Sequence, residues 1–125
     1  MKLYCTKDEV SINGSVLELQ EIKSKIEAMK EGDLIQLQFD TTGNTQGFDI
    51  LESTMIIRAG SGPSYTSYQK GIGITFTGGI ESLKAFASLF NFEEESELGC
   101  HYHWDDACDS NYVASGTLPI TVAVS

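Results

Sequence analysis

The feature that most constrains this chain is a change of apolar period that happens twice, about 64 residues apart. In the first half Val10 and Ile12 alternate up to Asn13-Gly14, after which Leu19, Ile22, Ile26 and Met29 recur at helical spacing. In the second half Ile72, Ile74 and Phe76 alternate up to Gly78-Gly79, and Ile80, Leu83, Phe86, Ala87 and Phe90 follow at helical spacing. Sliding the chain on itself by this offset lays Gly14 on Gly78, Leu19 on Leu83, Leu34 on Leu98 and Ile56 on Ile120. A strand feeding an amphipathic helix must bury one face of each element, so each half predicts a helix lying on a sheet.

The first helix is punctuated at both ends. Ser15 followed by Glu18 has the spacing of a capping box, and Gly32 supplies the stop. Leu3 to Thr6 opens the chain as strand. Ile35, Leu37 and Phe39 alternate with Gln36 and Gln38, which predicts a strand with one wet face, and a further strand runs from about Ile50 to Ala59. Gly60-Ser61-Gly62-Pro63-Ser64 reads as a connection that continues through Tyr65 and Tyr68. After the second helix, Leu98 to Trp104 and Leu118 to Val124 complete the set.

The predicted fold is therefore α+β, a mainly antiparallel sheet of about six strands with two helices on one face. The order is β-α-β-β-β-α-β-β, an internal duplication of a βαββ unit. One domain spans residues 1–125, with pseudo-repeat halves 1–62 and 63–125. A gapless slide would turn His101 and His103 inward and leave Leu98, Cys100, Tyr102 and Trp104 in water. Because a one-residue slip reverses every side chain of a strand, a one-residue shift is expected here, with the apolar set inward and both histidines outward.

Charge narrows the partners. With 18 acidic against 8 basic residues the formal net charge is −10, which repels phosphate backbones and anionic membrane surfaces and steers basic partners in. Neither nucleic acid nor a membrane is an expected ligand. Three cysteines, Cys5, Cys100 and Cys108, at no knuckle spacing are expected as free thiols in a reducing compartment. No apolar run follows Lys2 and none reaches membrane-spanning length, so a cytoplasmic protein is expected, as monomer or homodimer.

Reactive side chains concentrate in Cys100-His101-Tyr102-His103-Trp104-Asp105-Asp106-Ala107-Cys108-Asp109. Two positions apart on a strand, His101 and His103 share a face, and Asp105 could complete a divalent metal site with them. The competing reading is a polar strand face whose imidazoles hydrogen-bond across the sheet or contact a partner. Cys100 and His101 are strand neighbours on opposite faces, so only Cys108 with His103 stays open as a nucleophilic pair, and no oxyanion-hole loop accompanies it. Gly71-Ile72-Gly73-Ile74 and Gly78-Gly79 lack the order of a phosphate loop and read as strand entry and tight turn. The acidic run Glu93, Glu94, Glu95 and Glu97, together with Asp105, Asp106 and Asp109, is expected to place negative charge on one end of the fold. No cofactor is implied. The candidate partner-binding residues are thus Glu93, Glu94, Glu95, His101, His103, Asp105, Asp106 and Asp109, with His101, His103 and Asp105 as the alternative metal set.

From about Gly73 to Val124 the order of residues resembles a bacterial immunity-protein family of polymorphic toxin systems, Immunity protein 32. The resemblance is carried by Ile74-Thr75-Phe76-Thr77-Gly78 leading into Ile80-Glu81-Ser82-Leu83, by His101-Tyr102-His103, and by Gly116-Thr117-Leu118-Pro119-Ile120. It covers less than half the chain, and the acidic loop with Cys108 departs from it. What it implies is a non-enzymatic antidote that binds a cognate protein toxin and blocks it in the cytoplasm of the producing cell or its kin; the net charge adds the expectation that this toxin is basic.

Overall fold

A computed structural model describes residues 1–125. The strands are β1 (Lys2–Cys5), β2 (Val10–Gly14), β3 (Leu34–Gln38), β4 (Ile50–Glu52), β5 (Thr54–Ala59), β6 (Tyr65–Gln69), β7 (Gly73–Gly78), β8 (His101–Trp104) and β9 (Ile120–Val124). Helix α1 spans Val16–Glu27 and α2 spans Ile80–Ala87, the latter continued by a 3-10 turn, Ser88–Phe90. The α+β class stands as expected, but the strands form two sheets rather than one. A five-stranded sheet has the order β4-β1-β2-β9-β8 and a four-stranded sheet the order β3-β5-β7-β6.

Three local features account for the additional strands. A turn in which the Thr6 N–H donates to the Glu9 carbonyl at 2.9 Å folds the first strand region into the β1–β2 hairpin. Ser53 interrupts the expected 50–59 strand, so that β4 pairs with β1 in one sheet and β5 pairs with β3 and β7 in the other. The tyrosine segment expected as a connection is β6, antiparallel to β7.

The two halves share a pattern of strand pairing. The first half supplies β1, β2 and β4 to one sheet and β3 and β5 to the other, while the second half supplies β8 and β9 to the first and β6 and β7 to the second; β4 has no counterpart in the second half. Three kinds of pairing occur twice: β1 with β2 and β6 with β7 antiparallel, β2 with β9 and β5 with β7 parallel, β3 with β5 and β8 with β9 antiparallel. In the parallel pairs Ile12 stands opposite Val122 and Phe76 opposite Ile57. Each parallel ladder joins one half to the other, so neither half owns a complete sheet.

Gly14 and Gly78, identical in the slide, have equivalent surroundings. A Cβ at Gly14 would lie 3.1 Å from Met1 Cγ, and one at Gly78 would lie 3.0 Å from Ser64 Cβ. At both places the residue just before the half's first strand packs against the strand end that enters the helix, so that a side chain there would push this neighbour aside. Gly73 is held more tightly still: its φ is +112° and an added Cβ would lie 2.4 Å from the Thr54 carbonyl oxygen, where β7 meets β5. That confirms strand entry for this glycine segment.

The helix stripes point where their spacing says. Leu19, Ile22 and Ile26 of α1 and Leu83, Phe86 and Ala87 of α2 are buried in one 25-residue apolar cluster with inward residues of both sheets. Phe76 and Phe86 stack at 4.2 Å and Trp104 meets Phe86 edge-on at 5.4 Å, so the aromatic centre ties β7, α2 and β8 together. The capping box at Ser15 is formed in both directions, and its backbone hydrogen bond holds the Glu18 carboxyl below its ordinary pKa. Between the sheets, Tyr68 donates to Glu52 Oε1 at 2.7 Å, and burial beside this carboxylate raises the tyrosine to about 12. Burial, with Glu52 adding repulsion, also raises the Cys5 thiol to about 12. No helix is long and apolar enough to cross a membrane.

Candidate partner-binding site

The site begins with β8, an edge strand paired only to β9. Its pleat directs His101 and His103 to solvent and Trp104 into the core, as the period-two argument requires. Superposing the parallel ladders β2–β9 and β5–β7 lays Met55, not Ile56, on Ile120, and the registers of β3 on β5 and β8 on β9 then place Leu34 on His101, Ile35 on Tyr102 and Leu37 on Trp104. The shift from the 64-residue slide is thus three residues, odd as the burial argument demands but longer than the single residue expected.

The apolar set expected inward divides. Trp104 is buried and donates through Nε1 to Ser64 Oγ at 3.0 Å, and Tyr102, half exposed, packs on Phe92 at 5.2 Å. Leu98 and Cys100 lie outside the strand and are exposed, which corrects the expectation for both. The cause is a turn: Gly99 has φ +90°, and the Cys100 N–H donates to the Glu97 carbonyl at 3.1 Å. Strand alternation therefore starts only at His101.

The imidazole centroids are 4.9 Å apart with the rings nearly perpendicular. His101 Nδ1 lies 2.8 Å from the Gly99 carbonyl, which can only accept, so this nitrogen carries a proton. His103 Nδ1 lies 3.1 Å from Thr121 Oγ1 across the ladder. Asp105 does not join them. Its Oδ1 accepts the Ala107 N–H at 2.9 Å, and no three His, Cys, Asp or Glu side chains stand where they could share an ion. The alternative metal set is thus not assembled. Cys108 Sγ lies 3.8 Å from the backbone oxygen of His103, a contact with the main chain rather than an activated nucleophilic pair.

The acidic residues fall into two groups with different local tasks. Asp106 accepts the Gly116 N–H at 3.3 Å and Asp109 the Asn111 N–H at 2.9 Å, so with Asp105 they shape the 105–116 loop that carries them. Glu93, Glu94, Glu95 and Glu97 are exposed and form no ion pair, since the three pairs in the molecule are the N-terminus with Glu18, Lys2 with Asp40 and Lys23 with Glu27. A groove of about 970 Å³ gathers Glu93, Glu95 and Glu97 with Phe92, His101 and Tyr102. It leaves out His103, the three aspartates and Glu94, which lines a neighbouring groove. All eight lysines and arginines lie at or before Lys84, so nothing in the chain beyond it offsets these carboxylates.

Sequence reasoning missed Leu17 and Leu98 as surface residues, at 75% and 79% exposure. Leu17 had a legible signal, because it lies off the Leu19-Ile22-Ile26 stripe; Leu98 had none before the Gly99 turn was seen. Comparison of the chain with protein-family models, curated proteins and solved structures gives no match.

Proposed function

We propose that this chain is a non-enzymatic binding protein of the immunity type, which neutralises a cognate, basic bacterial toxin in the cytoplasm by direct contact through the acidic groove beside β8. One observation carries this reading: the largest groove of the molecule is rimmed by three glutamates without an ion pair, has no lysine or arginine in its lining, and is walled by the edge strand that turns His101 outward. Exposed carboxylates without counter-charges maintain a field that reaches about a Debye length, roughly 8 Å at physiological salt, and that field accelerates encounter with a cationic surface. Toxin nucleases carry such surfaces to hold phosphates, and an acidic antidote can cover them by the same attraction. The resemblance to Immunity protein 32 in the second half supports the same reading.

The test uses the toxin domain encoded beside this chain, if its gene neighbourhood supplies one, and measures association against ionic strength. Glu93→Lys with Glu94→Lys and Glu95→Lys is expected to slow association by about tenfold or more and to flatten its salt dependence. Association that ignores both salt and the three reversals refutes the electrostatic reading.

A further inference from the structure

The two most exposed large hydrophobic side chains of the molecule are Leu98 and Leu17. They come from distant parts of the sequence, the turn before β8 and the first turn of α1, yet they line one groove of about 610 Å³ with Val16, Val124 and Glu94. Their presentation is built into the backbone. Leu98 is held out by the Glu97–Cys100 turn and by the Gly99 N–H, which donates to the Val124 carbonyl at 2.8 Å. Leu17 is fixed by the capped start of α1. Exposing two leucines side by side leaves apolar area in water without any gain to the fold, which is the mark of a contact surface.

The charge around them selects the occupant. This groove shares Ser96 and Leu98 with the larger acidic one, and no lysine or arginine lines either. A second copy would bring the same glutamates and a net charge of −10 against its like. Anionic lipid and nucleic acid are repelled by the same field. We infer that the apolar cleft between Leu17 and Leu98 receives a cationic amphipathic segment of a partner protein, an apolar side chain seated between the leucines and basic side chains set against Glu93, Glu94 and Glu97. The inference rests on the binding-protein reading and adds to it an apolar anchor and the chemistry of the segment that fills it.

The experiment titrates the intact ¹⁵N-labelled chain with a synthetic amphipathic helix of leucine and lysine, alongside two controls, one with every leucine replaced by serine and one with every lysine replaced by glutamate. The leucine-lysine peptide is expected to shift the amides of Leu17, Glu94 to Gly99 and Val124, and both controls to leave them in place. Leu98→Ser or Leu17→Ser, exposed changes whose folding is checked by circular dichroism, should weaken binding by about tenfold. Equal binding of the serine-lysine peptide, shifts elsewhere on the surface, or a Leu98-dependent dimer of the free chain in sedimentation each overturns the inference. Against the toxin the two readings separate. If Leu98→Ser leaves affinity intact while glutamate reversal abolishes it, the apolar anchor falls and the acidic interface stands; if neither change matters, both fall.

Discussion

Trp104 is the chain's only tryptophan and the pin that holds the last residue of β8 to the start of β6. Its indole is 4% exposed, lies against Phe76 and Phe86, and donates to the fully buried Ser64 hydroxyl. Trp104→Phe removes about a third of the ring atoms, which at a site this closed costs about 2 kcal/mol in transfer and cavity terms. It also leaves Ser64 Oγ without its donor, for about 1 kcal/mol more. Ser64→Ala alone strands the indole N–H and costs about 1–2 kcal/mol. In the double variant no polar group is stranded, so the two losses do not add, and a coupling of about 2 kcal/mol is expected. Urea denaturation followed by far-UV circular dichroism measures all four proteins, the fluorescence probe being lost with the indole. Amide exchange at Tyr102 and at residue 104, whose N–H groups face β9, should quicken in Trp104→Phe, because the strand's inward anchor is weakened. Strictly additive losses, or an unchanged edge strand, would refute the idea that this hydrogen bond fastens the site to the core.

Two further predictions concern stability. Ser15→Ala removes the side-chain acceptor of the α1 capping box and should lower stability by about 1 kcal/mol, read as a fall in melting temperature of about 4 °C. Alkali should destabilise the protein through Cys5 and Tyr68, whose pKa values are both raised to about 12 in the folded state. Below the unfolded-state values of about 9 and 10 their contribution is complete, and it declines towards pH 12 as the unfolded chain ionises first, by up to about 1.4 kcal/mol per pH unit for the buried Cys5 and by less for Tyr68, which solvent partly screens. Urea midpoints at pH 8 to 11 should therefore fall less steeply in Cys5→Ala than in the wild type; parallel profiles would rule out the buried thiol as a source of that slope.

The sequence by itself determined the elements that depend on neighbours along the chain. The Ser15-Glu18 cap, the Leu19-Ile22-Ile26 stripe, the alternation of Ile74 with Phe76 and the outward histidines all follow from period and local sterics. The acidic run was equally legible as charge. Tertiary structure alone decided which strands meet. Ser53 breaks one apolar run between two sheets, Tyr65–Gln69 becomes a strand because β7 offers it a ladder, and the halves exchange partners so that β2 lies beside β9 and β5 beside β7. A strand's hydrogen bonds are satisfied only by a distant segment, and nothing in its own residues names that segment. For the same reason the groove could not be read in advance. Leu17 and Leu98 become neighbours, and the glutamates join His101 while the aspartates turn to their own loop, only once the folded backbone has fixed the distances between them.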